Sequence, residues 1–87
     1  MQTNKVQPLG IRLSAASRIP LHRQLFDALV SRIHDRTFPA GFRLPPTRAL
    51  AAELKTHRNT VVRAYEDLHA AGFVESTVGR GTFVAEA

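Results

Sequence analysis

Apolar residues recur along this chain in two rhythms, one helical and one strand-like. Leu21, Leu25, Leu29 and Ile33 follow each other every four residues and are joined by Phe26 and Val30. This is a wide apolar stripe at helical period, with His22, Arg23, Asp27, Arg32 and Asp35 on the outer face. Pro20 suits the first turn of that helix, where its missing N–H loses no partner, and the cap stays open between Ser17 and Ile19. The helix should end near Arg36, ahead of the turn signal Pro39-Ala40-Gly41. Phe42-Arg43-Leu44 reads as short and extended, because a following proline disfavours helix. After Pro45-Pro46, Thr47 is a good N-cap for Arg48–Leu54, whose Leu50 and Leu54 mark the buried side.

Lys55-Thr56-His57 interrupts the pattern, with Thr56 the better cap and His57 the poorer one. A third helix follows over Arg58–Ala71. Val61, Ala64, Tyr65 and Leu68 form its inner face, and Arg58, Asn59, Val62, Arg63, Glu66 and Asp67 its outer face. Gly72 ends it, in the position where a left-handed residue satisfies the last carbonyls. Phe73–Ser76 and Thr82–Ala85 then read as strands around a glycine-containing hairpin loop, Thr77-Val78-Gly79-Arg80-Gly81. Residues 1–18 show no clear period. Leu9, Ile11 and Leu13 alternate with Gly10 and Arg12, which suggests an extended arm, mobile or docked as an edge strand, before a domain over 19–86.

The order helix, short strand, helix, helix, strand, strand places the chain in the α+β class. It is the layout of a winged helix-turn-helix: three helices with a small antiparallel β-hairpin wing. The helix-turn-helix would span about residues 47–66 and the wing about 73–85.

Composition narrows the function. A chain of 87 residues makes one small domain, with no room for a deep catalytic cleft. Twelve Lys and Arg against seven Asp and Glu give a net charge of +5. All the bases but Lys5 lie between Arg12 and Arg80, so the excess is spread over the domain. Such a balance suits a polyanionic partner, either nucleic acid or an acidic membrane surface. The chain has no cysteine, which excludes disulfides, thiolate zinc sites and Cys nucleophiles. No apolar run approaches the roughly 18 residues of a membrane span, and Met1–Gly10 lacks the apolar stretch of a signal peptide. A cytoplasmic location with no membrane partner is therefore expected. His22, His34, His57 and His69 show no tight metal-ligand spacing. There is no nucleophile elbow, and Gly79-Arg80-Gly81 lies on a hairpin, where it cannot cradle a nucleotide against a helix start. The chain is expected not to be an enzyme and to hold no metal or cofactor.

The residues that carry chemistry sit at the start of the third helix and at the hairpin tip. A helix entering a groove about 12 Å wide must present groups that reach base edges and phosphates. The turn His57-Arg58-Asn59-Thr60 offers them: Arg can pair bidentately with guanine, Asn with adenine, and Thr can meet a phosphate or a thymine methyl. Gly79 and Gly81 let backbone approach a duplex closely, and Arg80 adds charge there. Simpler roles compete. Arg48 could pair with Glu53, and Arg63 with Glu66 or Asp67 one helical turn away. Asn59 could only stabilise the helix start, and Tyr65 belongs to the core.

Three segments in order carry a resemblance: Leu44-Pro45-Pro46-Thr47-Arg48-Ala49-Leu50-Ala51, Arg58-Asn59-Thr60-Val61-Val62-Arg63-Ala64-Tyr65 and Gly79-Arg80-Gly81-Thr82-Phe83-Val84. Together they resemble the GntR family of transcription regulators. With Pro20-Leu21-His22-Arg23-Gln24-Leu25 upstream, the chain is most similar to the MocR branch. The resemblance implies sequence-specific binding to a double-stranded DNA operator by the N-terminal domain of a longer, homodimeric bacterial regulator. In the MocR branch the remainder resembles a pyridoxal-phosphate aminotransferase of fold type I and senses an effector. The resemblance places DNA contacts at Arg48, at the Arg58-Asn59-Thr60 turn and at Gly79 and Gly81; with Thr47, His57, Arg63 and Arg80 these make the expected DNA-binding set, with the recognition helix in the major groove and residues 77–82 at the minor groove or backbone. The chain departs from the family at Lys55, usually Gly, at His57, usually Ser or Thr, at Pro46, often Ser, and at Val62, often Arg. The alternative is a winged helix that holds a protein without specific DNA binding, which Val62 on the outer face favours. RNA binding lacks the exposed aromatic platform that single strands require.

Overall fold

The structure, a computed structural model, describes residues 9–86. Its elements are α1 (Leu21–His34), α2 (Thr47–Leu54), α3 (Arg58–Ala70), β1 (Val74–Thr77) and β2 (Gly81–Val84). The strands pair antiparallel, with Val74 opposite Val84 and Thr77 opposite Gly81. This is the expected winged arrangement of three helices and a hairpin.

The apolar periods become the core. Leu25 and Leu29 of α1, Leu50 of α2, and Val61 and Leu68 of α3 are fully buried, as is Leu44 from the segment before α2. Burying a leucine side chain contributes about 1.5–3 kcal/mol, so these side chains supply much of the force that closes the domain. α3 packs against α1, α2 and β1, which makes it the element that orients the others. Phe38 and Val84 are buried in the same core, and Phe38 stacks on Phe42 with ring centroids 4.5 Å apart.

Helix starts differ from the expected caps. Pro20 and Pro46 occupy the cap positions of α1 and α2, each with φ near −57° and an extended ψ, and neither helix has a side-chain cap. Thr47 is therefore the first helical residue and not the cap. His57, not Thr56, precedes α3, again without a side-chain cap bond. Proline fixes the pre-helical φ by itself, so the turn closes without a hydroxyl acceptor. α1 stops at His34 and α3 at Ala70, slightly earlier than the period suggested.

The strands also shift by one residue from the expected spans. Thr77 pairs with Gly81, and the tip is the tight turn Val78-Gly79-Arg80, closed by Arg80 N–H donating to the Thr77 carbonyl at 3.0 Å. Gly79 takes φ +80°, the value a type II turn requires at its third residue. The extended run at 42–44 joins this ribbon through an antiparallel bridge between Arg43 and Phe83. Leu44 N–H donates to Thr82 at 2.8 Å and Val84 N–H to Phe42 at 2.9 Å on either side of it.

The arm docks without forming a strand. Ile11 is buried in the core, Leu9 and Leu13 pack beside it, and Leu9 N–H donates to Glu53 Oε2 at 2.8 Å. The part of the arm before Leu9 lies outside the described residues. Among the described residues, no helix is long and apolar enough to cross a membrane.

Candidate nucleic-acid interface

The interface begins with how α2 hands the chain to α3. α2 closes on Lys55, which takes a left-handed φ of 57°. Thr56 N–H donates to Ala51 and Lys55 N–H to Ala52, the double closure of a Schellman turn. His57 is extended, and α3 starts at the next residue. Arg58 Nε then donates to Thr47 Oγ1 at 3.2 Å. The first residues of the two helices are thus joined directly, and the Thr47 hydroxyl, which caps nothing, holds the Arg58 guanidinium in place.

Below this contact, Tyr65 anchors α3 from the inside. Its hydroxyl donates to the Pro45 carbonyl at 2.6 Å. Burial, reinforced by the nearby Glu53 charge, pushes the phenol's pKa upward, so it stays a donor. The Pro45-Pro46 segment, and with it the start of α2, is therefore fixed against α3.

The expected site residues lie at the surface. Arg48, His57, Arg58, Asn59, Arg63, Gly79 and Arg80 are exposed, and Thr47, Thr60 and Gly81 are half-buried. Among the described residues the one ion pair is Arg23 with Asp27, on the exposed side of α1 at 3.2 Å. Glu53 does not pair with Arg48, because it accepts from the Leu9 amide instead. Arg63 pairs with neither Glu66 nor Asp67. The guanidinium groups of Arg48, Arg58, Arg63 and Arg80 consequently keep their charge unneutralised. No side chain caps α3, so its first N–H groups lack a side-chain acceptor, which is the condition under which a helix start receives a phosphate.

The wing reaches α3 through its strand rather than its tip. Ser76 of β1 faces Val62, Glu66 and His69 across a groove that Tyr65 also lines. Val62 is half-buried in that groove, so it does not stand alone on an open face. Among the described residues no hydrogen bond or ion pair joins Gly79–Gly81 to the Arg58 turn. The structure thus joins Thr47 to the Arg58 turn, and holds Val78–Arg80 as a separate exposed tip on which Val78 is fully exposed.

Arg43 escaped the sequence reading. Its side chain lies over Gly81, where an added Cβ would stand 2.9 Å from Arg43 Nε. The signal was available: an arginine between Phe42 and Leu44 on an extended run points to the opposite face from both. Among the described residues, no three His, Asp or Glu side chains gather to hold a metal. The chemistry on offer is charge, bidentate hydrogen bonding and exposed helix-start amides.

Comparison with known proteins agrees with this layout. Residues 21–84 match the family described as bacterial regulatory proteins, gntR family. The chain is 46% identical over 67 residues to the probable rhizopine catabolism regulatory protein MocR of Rhizobium meliloti, covering 77% of this chain and 14% of that protein. Its fold is similar to YtrA of Sulfolobus acidocaldarius, a GntR-family transcription factor, with a TM-score of 0.83 and 28% identity over 88% of this chain and 81% of that one. It is also similar to the DNA-binding domain of AraR, solved in complex with operator ORE1, with a TM-score of 0.74 and 27% identity over 84% and 89%. With the helix-turn-helix, the wing and the matched segment coinciding, the chain belongs to the gntR family of bacterial regulatory proteins.

Proposed function

We propose that this chain binds double-stranded DNA sequence-specifically as the N-terminal domain of a longer transcription regulator. α3 lies in the major groove, with Arg58 and Asn59 at base edges and Thr47, Arg48, Thr60 and Arg63 toward phosphates. The wing residues Gly79, Arg80 and Gly81 meet the minor groove or the backbone, and His57 adds a contact at the helix start. The observation that carries this reading is the Arg58–Thr47 bond, set beside guanidinium groups with no acid partner. A cation held in position yet unneutralised is ready for an external anion. AraR's DNA-binding domain, whose structure contains an operator, supports DNA as the partner here.

In the full regulator two such domains would sit on one operator, with half-sites about one helical turn apart or a multiple of it. A cytoplasmic location follows from DNA as the partner. If the whole protein follows MocR, pyridoxal phosphate would be held outside residues 9–86. Lys55, the lysine of the described segment, is exposed on the α2–α3 turn, which is no site for an enclosed Schiff base. The protein-interaction reading draws on Val62 alone, and its place in the groove beside Ser76 weakens it.

Fluorescence anisotropy with a labelled duplex tests the proposal. Affinity should fall steeply with added salt as phosphate contacts release counterions. Arg58→Ala and Arg48→Ala should each weaken binding by about tenfold or more while leaving the fold intact. Unchanged affinity in both variants would contradict the proposal and favour the protein-interaction reading.

A further inference from the structure

Arg43 lies outside the helix-turn-helix and outside the hairpin, yet its geometry gives it a defined place on the wing. The bridge to Phe83, flanked by the Leu44–Thr82 and Val84–Phe42 hydrogen bonds, makes the 42–44 run a short third strand of the ribbon. Side chains of directly opposed residues share a face, so Arg43 and Phe83 point the same way. Two residues back along β2, on that same face, stands Gly81. The Arg43 side chain runs diagonally across to it. A Cβ at Gly81 would be 2.9 Å from Nε and 3.5 Å from both Cζ and Nη2, so the guanidinium lies directly on the glycine backbone.

Two further observations point outward from the molecule. Arg43 is exposed, and among the described residues it has no ion pair and no side-chain hydrogen bond. Its donors, a planar fork suited to a phosphate, are therefore unspent. The group is also better fixed than Arg80. Arg80 hangs from the turn at the tip, while Arg43 hangs from backbone paired on a strand. Its Cα is four residues from Thr47, at most about 14 Å along an extended chain.

We infer that Arg43 is a phosphate-binding residue of the wing, seated on Gly81, and that Gly81 is glycine partly because any side chain there would displace it. This rests on the DNA-binding reading above. It adds to that reading a backbone contact at the neck of the wing, supplied by the segment before α2. Gly81 then has two reasons to lack a side chain: its φ of +125° and the guanidinium lying on it.

The test is the salt dependence of binding to a short mixed-sequence duplex, read by anisotropy between about 50 and 200 mM salt. Arg43→Gln keeps much of the length and removes the charge; it should lower affinity and flatten the log–log salt slope by about 0.9, one phosphate's worth. Arg43→Lys should keep most of the slope. Gly81→Ala should lose affinity, through its own place on the wing as well as through the displaced guanidinium, and Arg43→Gln should then cost less in that background than in the wild type. Thermal melts of each variant show that the fold is retained, and Arg58→Ala serves as an independent loss of contact. A wild-type slope and affinity in Arg43→Gln, alongside a clear loss in Arg58→Ala, overturns the inference and leaves the DNA-binding reading standing. A wild-type chain that binds the duplex with no salt dependence overturns both.

Discussion

Tyr65 shows what one residue does here. Its ring fills the inner face of α3 and its hydroxyl donates to Pro45 at 2.6 Å, tying α3 to the segment that launches α2. The sequence made Tyr65 a core residue by period alone; its partner, a carbonyl far away in the chain, has no sequence signal. Tyr65→Phe should cost about 1 kcal/mol, the net worth of a hydrogen bond. It should also change behaviour in alkali. Burial raises the phenol's pKa in the folded chain, while the unfolded chain keeps the ordinary value of about 10. Below that pH both states hold the proton and the full stability is present. Above it the unfolded state releases its proton first, so stability falls as pH rises. Urea unfolding on either side of about pH 10 should show a decline in the wild type that is smaller in Tyr65→Phe. Equal declines would remove the phenol from the account.

At the scale of elements, two helix ends use one closure with different residues. Gly72 N–H donates to His69 and Phe73 N–H to Leu68 behind α3, while Lys55 and Thr56 make the matching pair behind α2. Gly72 takes φ +86° freely, whereas Lys55 holds φ +57° with a side chain attached. A left-handed L-residue costs roughly 1–2 kcal/mol, partly offset by the backbone freedom a glycine would lose on folding. Lys55→Gly should therefore stabilise the domain by about 0.5–1 kcal/mol, read as a rise in Tm of several degrees; a lower Tm would show that the turn carries no strain. Element types were legible because the helical and strand periods are strong. Element starts were not. Thr47 and Thr56 are both good caps by type, yet Pro46 took the first position, since a proline sets the pre-helical backbone without a hydroxyl, and His57 the second, with Thr56 drawn into the closure of α2. The strands moved by one residue because Gly81 can adopt a φ of +125° and so pair directly with Thr77.

For the whole molecule, α3 is the common neighbour of α1, α2 and β1. The core aligns α2 and α3, the Thr47–Arg58 bond joins their starts, and the ribbon that includes Arg43 holds the wing beside α3. The turn that opens α3 was legible because Arg58, Asn59 and Thr60 follow a helix break. The absence of an ion pair at Arg48 was not, because it depends on Glu53 turning to the arm's Leu9 amide. The arm's role was hidden for the same reason: Ile11 reaches a core built by helices that come later in the chain. The central claim is that duplex DNA sits on the face made by the two helix starts and the wing. Backbone amide shifts of the isotope-labelled chain, followed by NMR during titration with duplex DNA at low salt, address it most directly. The account predicts that the amides of Thr47, Arg48, His57–Arg63 and Gly79–Gly81 move together and saturate together. Shifts confined to the Ile33–Phe38 and Ala85 side, with the Arg58 turn unmoved, would contradict it.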